Sequence, residues 1–433
     1  MNPETTRLKT MLLRMASAWF SVSPLGDGEA GGAQGCSGLD EKNPVIGGTM
    51  FYPGVAEVRP RMKTFACTIL LLVAGNLSGL AQSPGRAPLK VGVVGLVHDH
   101  VHGILSRHGG GDVEIVGITE PNQKLAERYA KQHGFKMDLV FDSIEEMLET
   151  VRPEVVSDYS PIYHHLKTVE VCAPRGIHVM VEKPLAVSLE HARKIQTLAR
   201  RHRIHVLTNY ETTWYGSHHR AKRLLADEPS FGPIRKIVVH DGHPGPVEIG
   251  CSKEFLEWLT DPHLNGAGAL TDFGCYGANL STWLMNGEKP RTVTAVLQQI
   301  KPDVYPHVDD EATVVLAYPG AQAILQASWN WNYSRKDIEV YCTHGYVHCL
   351  NRRDMKIMLS QSQQATEEKI EKLQSPHGDP YEYLSGVVRG EIEIRPTDLS
   401  ALENNVTVVE ILEAAKISAR ELRTVRLEEF SSE

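Results

Sequence analysis

The feature that most constrains the fold is a regular alternation of short apolar runs and helix-like segments, which begins near residue 88. The apolar runs lie at residues 90–96, 113–119, 139–141, 154–157, 176–180 and 204–207. The segments between them have the apolar spacing of helices, as at 144–150 and 188–201. Strands that alternate with helices in this way form βαβ units. We therefore predict an α/β domain with a parallel sheet over residues 88–208.

The turn after the first strand bears on nucleotide binding. Residues 95–100 read GLVHDH, where a dinucleotide-binding fold has its Gly-x-Gly-x-x-Gly turn. Gly95 is present, but Val97 and His100 stand at the second and third glycine positions. Either the branched side chain of Val97 pushes a bound pyrophosphate outward, or His98 and His100 hold the pyrophosphate by hydrogen bonds. We expect Gly95, Val97, His98 and His100 to lie at a cofactor.

Histidines at positions 98, 100 and 102 raise the question of a metal site in the same turn. No carboxylate or cysteine cluster accompanies them in the sequence, and metal sites usually combine such ligands. Histidines on a surface loop are the simpler explanation. We predict no metal.

Glu120 ends the second predicted strand and precedes Pro121 and Asn122. A carboxylate at this place in a dinucleotide-binding sheet accepts hydrogen bonds from a ribose and repels a 2′-phosphate. The position therefore favours NAD over NADP, although NADP remains open. The alternative is a carboxylate that caps the following helix.

Glu182, Lys183 and Pro184 follow the apolar run at 176–180. In an open α/β sheet, ligands bind outside the carboxyl ends of the strands. Pro184 biases Lys183 toward an extended backbone at that edge. The alternative is a solvated Glu-Lys pair before a turn.

Residues 209–433 have a different pattern, typical of an α+β domain. Strands with half-buried alternation are predicted at 234–240, 292–299, 312–317, 322–329, 337–342 and 345–350. Residues 361–374 are polar and predict an excursion from the sheet. A long helix with one apolar face is predicted over about 398–420.

Asp272 and Tyr276 stand out in the second domain because they are four residues apart at a predicted helix start. That spacing puts both side chains on one helix face. Asp272 could also be an N-cap, and Tyr276 could be a core aromatic residue.

Together these motifs resemble the Gfo/Idh/MocA family of NAD(P)-dependent oxidoreductases, from about residue 88 to the end. The resemblance rests on the order of Gly95, Glu120-Pro121-Asn122, Ser160-Pro161, His165, Glu182-Lys183-Pro184, Asn209, Asp272 and Tyr276. It implies a Rossmann domain followed by an α+β domain with a large, mostly antiparallel sheet. Family members commonly associate through that sheet, so we expect a homo-oligomer.

The resemblance also implies site residues and a sugar or cyclitol as substrate. The residues expected at the NAD are Gly95, Val97, His98, His100, Glu120, Ser160, Pro161, His165, Glu182, Lys183 and Asn209. Lys183 would stabilise an alkoxide, Tyr276 would transfer a proton and Asp272 would hold a neighbouring hydroxyl. Many relatives have histidine at position 276, whereas glucose-fructose oxidoreductase-like members have tyrosine. We expect a partly dry cleft to lower the pKa of Lys183, and the cation to lower the pKa of Tyr276.

The expected function is oxidation or reduction of a sugar or cyclitol hydroxyl by hydride transfer. One alternative is an NAD-dependent glycosidase that oxidises the sugar ring transiently and releases a free sugar without net NADH. Another is an exported sugar-binding relative without catalysis, which would not bind NADH.

The first part of the chain differs from the rest. Residues 1–61 are rich in Gly, Ser and Pro, and we expect disorder there, or a translation artefact with Met62 as the true start. Residues 62–81 combine a basic start, a short apolar stretch and a small-x-small site, as in a signal peptide. The stretch is too short to span a bilayer comfortably. We expect export to the periplasm, or a cytoplasmic protein if 62–81 is not a signal.

Charge and cysteine content exclude two further classes. The net charge is −8 over 433 residues, with no long basic run, which argues against nucleic-acid binding. The five cysteines after residue 81 show no C-x-x-C spacing, so they indicate neither a disulfide framework nor a zinc site. Cys342 and Cys349 could pair across a hairpin in an oxidising compartment.

Overall fold

A computed structural model describes residues 87–430. The leader at 1–61 and the expected signal peptide at 62–81 lie outside the described residues. Within 87–430, no helix combines the length and the apolar character needed to cross a membrane.

The first sheet is parallel and has six strands. They are β1 (Leu89–Val94), β2 (Val113–Thr119), β3 (Val140–Phe141), β4 (Val155–Asp158), β5 (His178–Glu182) and β6 (Val206–Asn209). Their order is β3-β2-β1-β4-β5-β6. This is the doubly wound order of dinucleotide-binding sheets, in which ligands bind where the strand order reverses, between β1 and β4. The predicted α/β fold is confirmed.

Five helices connect these strands, and local sequence explains where several begin. They are α1 (Val101–Leu105), α2 (Gln123–His133), α3 (Ile144–Thr150), α4 (His165–Cys172) and α5 (Leu189–His202). Ser143 caps α3 by accepting from the backbone N–H of Glu146, and Ser188 caps α5 in the same way. Gly134 ends α2 in the left-handed conformation.

The second sheet has nine strands and is mostly antiparallel, as expected. They are β7 (Ile234–Gly242), β8 (Thr292–Gln298), β9 (Glu311–Ala317), β10 (Gln322–Ser328), β11 (Arg335–Cys342), β12 (Gly345–Cys349), β13 (Asp354–Leu359), β14 (Thr366–Lys369) and β15 (Val425–Arg426). Their order is β14-β13-β12-β11-β7-β10-β9-β8-β15, and β7 and β10 pair in parallel. Inward residues such as Ile237 and Val239 are buried, whereas their neighbours face outward.

One prediction for this part of the chain needs correction, and the open possibility of a disulfide is not borne out. The polar segment 361–374 contains β14, which pairs with β13 as an exposed edge hairpin. It was missed because both faces of an exposed edge strand can be polar. Cys342 and Cys349 are free thiols, because the register places them opposite Gly345 and Ile338.

The C-terminal segment returns to the first sheet and joins the two sheets. Helices α6 (Gly216–Asp227), α7 (Lys253–Leu259), α8 (Cys275–Leu284), α9 (Pro380–Val388) and α10 (Leu402–Glu421) complete the fold. Tyr381 and Leu384 of α9 pack in the core of the first sheet. In α10, Val409 packs beside β5, whereas Val408 packs in the core of the second sheet. This shared packing holds the two sheets against each other.

Candidate active site

Lys183 lies directly after β5, at the edge where a dinucleotide would bind, and it is 5% exposed. Its Nζ forms a salt bridge with the carboxylate of Asp272 and donates to the Asp272 carbonyl oxygen at 3.0 Å. Glu182 is also buried. The alternative of a solvated Glu-Lys pair is therefore wrong, and Lys183 instead links the first sheet to the segment before α8.

Asp272 lies in a π-helical turn, Leu270–Gly274, immediately before α8. Its second carboxylate oxygen accepts a hydrogen bond of 2.9 Å from Trp329 Nε1. The side chain does not cap the helix, so its alternative role as an N-cap is wrong. π-Helical turns are frequent at functional sites because they redirect side chains within a helix.

The Lys183–Asp272 pair is ionised on both sides. Burial works to lower the pKa of Lys183, but the Asp272 carboxylate outweighs it, and the pKa is raised above its ordinary value. Burial works to raise the pKa of Asp272, but Lys183 outweighs it and lowers that pKa. The expectation of a lowered pKa for Lys183 is thus wrong, because it did not include this buried partner.

Tyr276 is buried in α8 and lies next to two lysines. The centre of its ring is 5.3 Å from Lys183 Nζ and 4.7 Å from Lys336 Nζ. Burial, followed by the carboxylate of Glu211, raises the pKa of Tyr276 well above its ordinary value. The structure brings Tyr276 and Lys183 together, but the expected lowering of the tyrosine pKa is wrong. Tyr276 therefore keeps its proton at neutral pH.

A hydrogen-bonded network surrounds Glu182 beside Lys183. Glu182 accepts from Asn209 Nδ2 at 2.9 Å and lies 3.0 Å from Nδ1 of His100. Asn209 accepts from Trp214 Nε1 at 3.1 Å. Three residues expected at the cofactor, from three different segments, thus meet at one place.

The turn after β1 depends on its single glycine. Gly95 has φ +75°, and a Cβ there would lie 2.8 Å from the backbone of Ser160. Ser160 and Pro161 follow β4, at the same edge of the sheet. Only glycine fits this turn without strain.

Helix α7 covers the rest of that turn, which the sequence did not predict. His98 is buried against the rings of Phe255 and Trp258, and Trp258 Nε1 donates to the Val97 carbonyl at 3.3 Å. Burial lowers the pKa of His98 well below its ordinary value. His98 Nδ1 accepts from the His100 N–H at 3.1 Å, so Nε2 carries the hydrogen.

Glu120 lies at the end of β2 and holds the turn. Its carboxylate accepts from the N–H of Leu96 at 2.9 Å and of Asn122 at 2.8 Å. Asn122 caps α2 by accepting from Leu125 N–H, so the alternative of Glu120 as a helix cap is wrong. A carboxylate has further lone pairs that could accept from ribose hydroxyls.

Two of the buried histidine nitrogens that have no hydrogen-bond partner among residues 87–430 belong to residues expected at the cofactor. They are Nε2 of His98 and Nε2 of His165. His165 Nδ1 donates to the Leu185 carbonyl at 3.2 Å, so its Nε2 is an acceptor. A bound ligand with hydrogen-bonding groups would satisfy one donor and one acceptor here.

The three histidines of the turn do not stay together. His102 lies 2.8 Å from His133, whereas His98, His100 and Glu182 offer atoms within 4.8 Å of one another. The expectation that no carboxylate lies near these histidines is therefore wrong, because folding brings Glu182 next to His98 and His100. Glu182 comes from another strand, which sequence proximity does not reveal.

Sequence reasoning missed several residues that line the cleft from the second sheet. They are Asp241 and His243 near the end of β7, and Lys336 on β11. Asp241 and Lys336 occupy inward positions just beyond the predicted strands 234–240 and 337–342, because the observed strands are longer. A charged residue at such a position indicates a functional or paired site.

The strand order and the residues at its carboxyl edge place the chain in the class of dinucleotide-binding α/β proteins. The sequence model of the oxidoreductase family with an NAD-binding Rossmann fold matches residues 89–210, and the GFO/IDH/MocA C-terminal domain matches 218–348. The chain therefore belongs to the Gfo/Idh/MocA family. The predicted family is confirmed, and the family description agrees with NAD as the expected cofactor.

Two curated relatives have defined activities. Trans-1,2-dihydrobenzene-1,2-diol dehydrogenase of Xenopus laevis is 27% identical over 223 residues, which is 50% of this chain and 61% of the relative. D-Glucoside 3-dehydrogenase of Escherichia coli is 27% identical over 216 residues, 48% of this chain and 57% of the relative. The match thus spans less than two thirds of each relative.

Solved structures show the same fold. Aldose-aldose oxidoreductase from Caulobacter crescentus, complexed with glycerol, has a TM-score of 0.65 at 19% identity and covers 78% of this chain and 99% of its own. An inositol dehydrogenase homolog from Azotobacter vinelandii, complexed with NADH and myo-inositol, has a TM-score of 0.65 at 17% identity. It covers 79% of this chain and 98% of its own.

Proposed function

We propose that this protein is an NAD-dependent oxidoreductase that transfers a hydride to or from a hydroxyl-bearing carbon of a sugar or cyclitol. The buried Lys183–Asp272 pair carries the proposal, because it puts a charged donor at the cofactor edge of the sheet. Support comes from relatives that act on glucosides and diols.

The residues around the cleft fit a nicotinamide dinucleotide. Glu120 would hold the adenosine ribose, and the Gly95 turn with His100 would face the pyrophosphate. His165 and Asn209 would lie at the nicotinamide end, where the unpartnered His165 Nε2 can accept a hydrogen bond. When bound, the cofactor supplies the hydride acceptor or donor.

Lys183 and Tyr276 both act on the substrate oxygen during hydride transfer. The Lys183 ammonium stabilises negative charge on the substrate oxygen, and Asp272 keeps Lys183 charged and oriented. Tyr276 holds its proton, so both groups are ready to donate to a carbonyl oxygen. Oxidation of an alcohol requires one of them to lose a proton first, so the rate of oxidation should rise with pH.

The test is turnover by Lys183→Met with a panel of sugars and cyclitols. We expect NADH formation to be abolished while NADH binding, followed by fluorescence, is retained. Lys194→Met on the exposed side of α5 is the matched control and should behave as wild type. Full activity of Lys183→Met refutes the proposal. Release of a free sugar without net NADH identifies the glycosidase alternative instead.

We propose that two copies of the chain associate through the outward face of the second sheet. Val296 on this face is 58% exposed, and Ile324 lies outward on β10, an inner strand of the sheet. Ile324→Asp should convert a dimer to a monomer in light scattering after gel filtration. A wild-type monomer contradicts the proposal.

We propose that residues 62–81 direct export to the periplasm and are removed. Amino-terminal sequencing of the mature protein should find a start shortly after residue 81. A cytoplasmic chain that keeps residues 62–81 contradicts this proposal.

A further inference from the structure

Asp241 is a buried carboxylate of the second sheet to which the proposed function assigns no role. It lies near the end of β7, faces inward and is 2% exposed. Neither carboxylate oxygen has a hydrogen-bond partner among the residues that the structure describes. A buried carboxylate without donors is costly, so burial raises the pKa of Asp241 well above its ordinary value and favours the neutral acid.

Lys336 stands opposite Asp241 on the adjacent strand β11. It does not bond Asp241, because its Nζ forms a salt bridge with Glu211. Glu211 also accepts from Arg352 at 2.6 Å and from the Tyr215 hydroxyl at 2.9 Å. The positive charge of Lys336 is therefore balanced by the carboxylate of Glu211, which Arg352 and Tyr215 hold in place.

The place of this pair connects it with the catalytic residues. Lys336 Nζ lies over the Tyr276 ring, which Lys183 Nζ also approaches. Other charged groups also act on Asp241 or on its neighbour Cys275. They are Asp337, Arg335, Glu211, Lys183 and Asp272. Each lysine beside Tyr276 is paired with its own carboxylate, so this part of the cleft presents hydrogen-bonding groups without an uncompensated charge.

We propose that Asp241 and Lys336 form a second hydroxyl-binding subsite beside Lys183 and Tyr276, which fits an uncharged polyol and disfavours a sugar acid. The inference rests on the proposed oxidoreductase function and narrows its substrate class. The protonated carboxyl of Asp241 donates its O–H to one substrate hydroxyl, and the Lys336 ammonium donates to the adjacent hydroxyl. A substrate carboxylate would have to compete with Glu211 for Lys336.

The test compares matched hexoses and hexuronates, such as D-glucose and D-glucuronate, in wild type and variants. NADH formation gives kcat and KM, and the shift of the thermal midpoint caused by each sugar in the presence of NADH reports binding without turnover. Asp241→Leu keeps the branched shape of the side chain but removes the hydrogen bond, so KM for the hexose should rise about tenfold. Asp241→Asn should retain more of kcat/KM than Asp241→Leu.

Glu211→Gln is the decisive variant because it frees Lys336 without removing it. We expect the preference for hexose over hexuronate to fall by about tenfold or to reverse, mainly through a lower KM for the acid. Glu339→Gln is the matched control, because Glu339 lies on the outward face of β11, the strand that carries Lys336. This variant should leave the preference unchanged.

The outcomes separate this inference from the proposed function. A wild type that forms NADH but prefers the acids, or whose preference neither Glu211→Gln nor Asp241→Leu alters, overturns the subsite and leaves the oxidoreductase intact. A wild type that binds hexoses in the midpoint assay, with the expected changes in the variants, but never forms NADH supports the subsite and contradicts the oxidoreductase. The absence of hexose-induced shifts and of turnover overturns both.

Discussion

Asp272→Asn perturbs the ion pair on which the account of the site depends. The substitution keeps the shape of the side chain and one acceptor oxygen, but it removes the charge that faces Lys183. The Lys183 ammonium is then left in a buried place without a counter-charge, and its remaining acceptors, which include the backbone carbonyl of residue 272, are neutral. Breaking a buried ion pair from one side costs about 3–5 kcal/mol.

The cost should depend on pH, and its sign follows from the pKa shifts. In wild type the pKa of Lys183 is raised and that of Asp272 is lowered, so the pair contributes fully between about pH 4 and about pH 10. In the variant, burial and Lys336 are no longer opposed, and the pKa of Lys183 falls below its unfolded value. The unfolded chain then binds more protons, so the stability of the variant rises with pH.

Urea unfolding followed by circular dichroism at about pH 6 and about pH 9 measures the effect. The loss of unfolding free energy should be largest at the lower pH and smaller at the higher pH. Glu190→Gln, which breaks the exposed Glu190–Lys194 pair, is the control and should cause no measurable change. An Asp272→Asn variant as stable as this control, or a loss independent of pH, refutes the reasoning.

Three further predictions concern the cofactor edge and the proton. Glu120→Gln should weaken NAD binding about tenfold and reduce the protein's preference for NAD over NADP, both measured by fluorescence titration. An unchanged preference contradicts the role of Glu120 at the ribose. Gly95→Ala should lower the thermal midpoint more than Gly134→Ala, because both have positive φ but only the first clashes with Ser160; equal losses contradict this. The rate of alcohol oxidation should rise throughout about pH 7–9, because the raised pKa of Lys183 keeps it protonated; a plateau below that range in initial rates contradicts the assignment.

The parts of the fold that repeat in the sequence were predictable. Strand β2 begins and ends where the predicted run does, at Val113 and Thr119, because most residues of this parallel strand are apolar and buried, with Glu114 as the exposed exception. Ser143 and Ser188 cap the helices they precede. Strand β14 was not predictable by the same reasoning, because an exposed edge strand buries no face.

The site was predictable as a set of residues but not in its chemistry. Helical spacing associated Asp272 with Tyr276, whereas the π-helical turn directs Asp272 to Lys183, 89 residues earlier. The pKa of Lys183 depends on the carboxylate that folding brings next to it, and no local sequence pattern reveals that long-range contact. Helix α7 covers the histidine turn for the same reason, since its contact with His98 is long-range.

The central claim is that a substrate hydride passes to or from NAD beside Lys183. The most direct measurement incubates the protein with NAD and polyols deuterated at carbon, and determines the mass of the NADH formed. The account predicts NADH that carries one deuterium, and none formed by Lys183→Met. NADH without deuterium, or deuterated NADH from Lys183→Met at the wild-type rate, contradicts it.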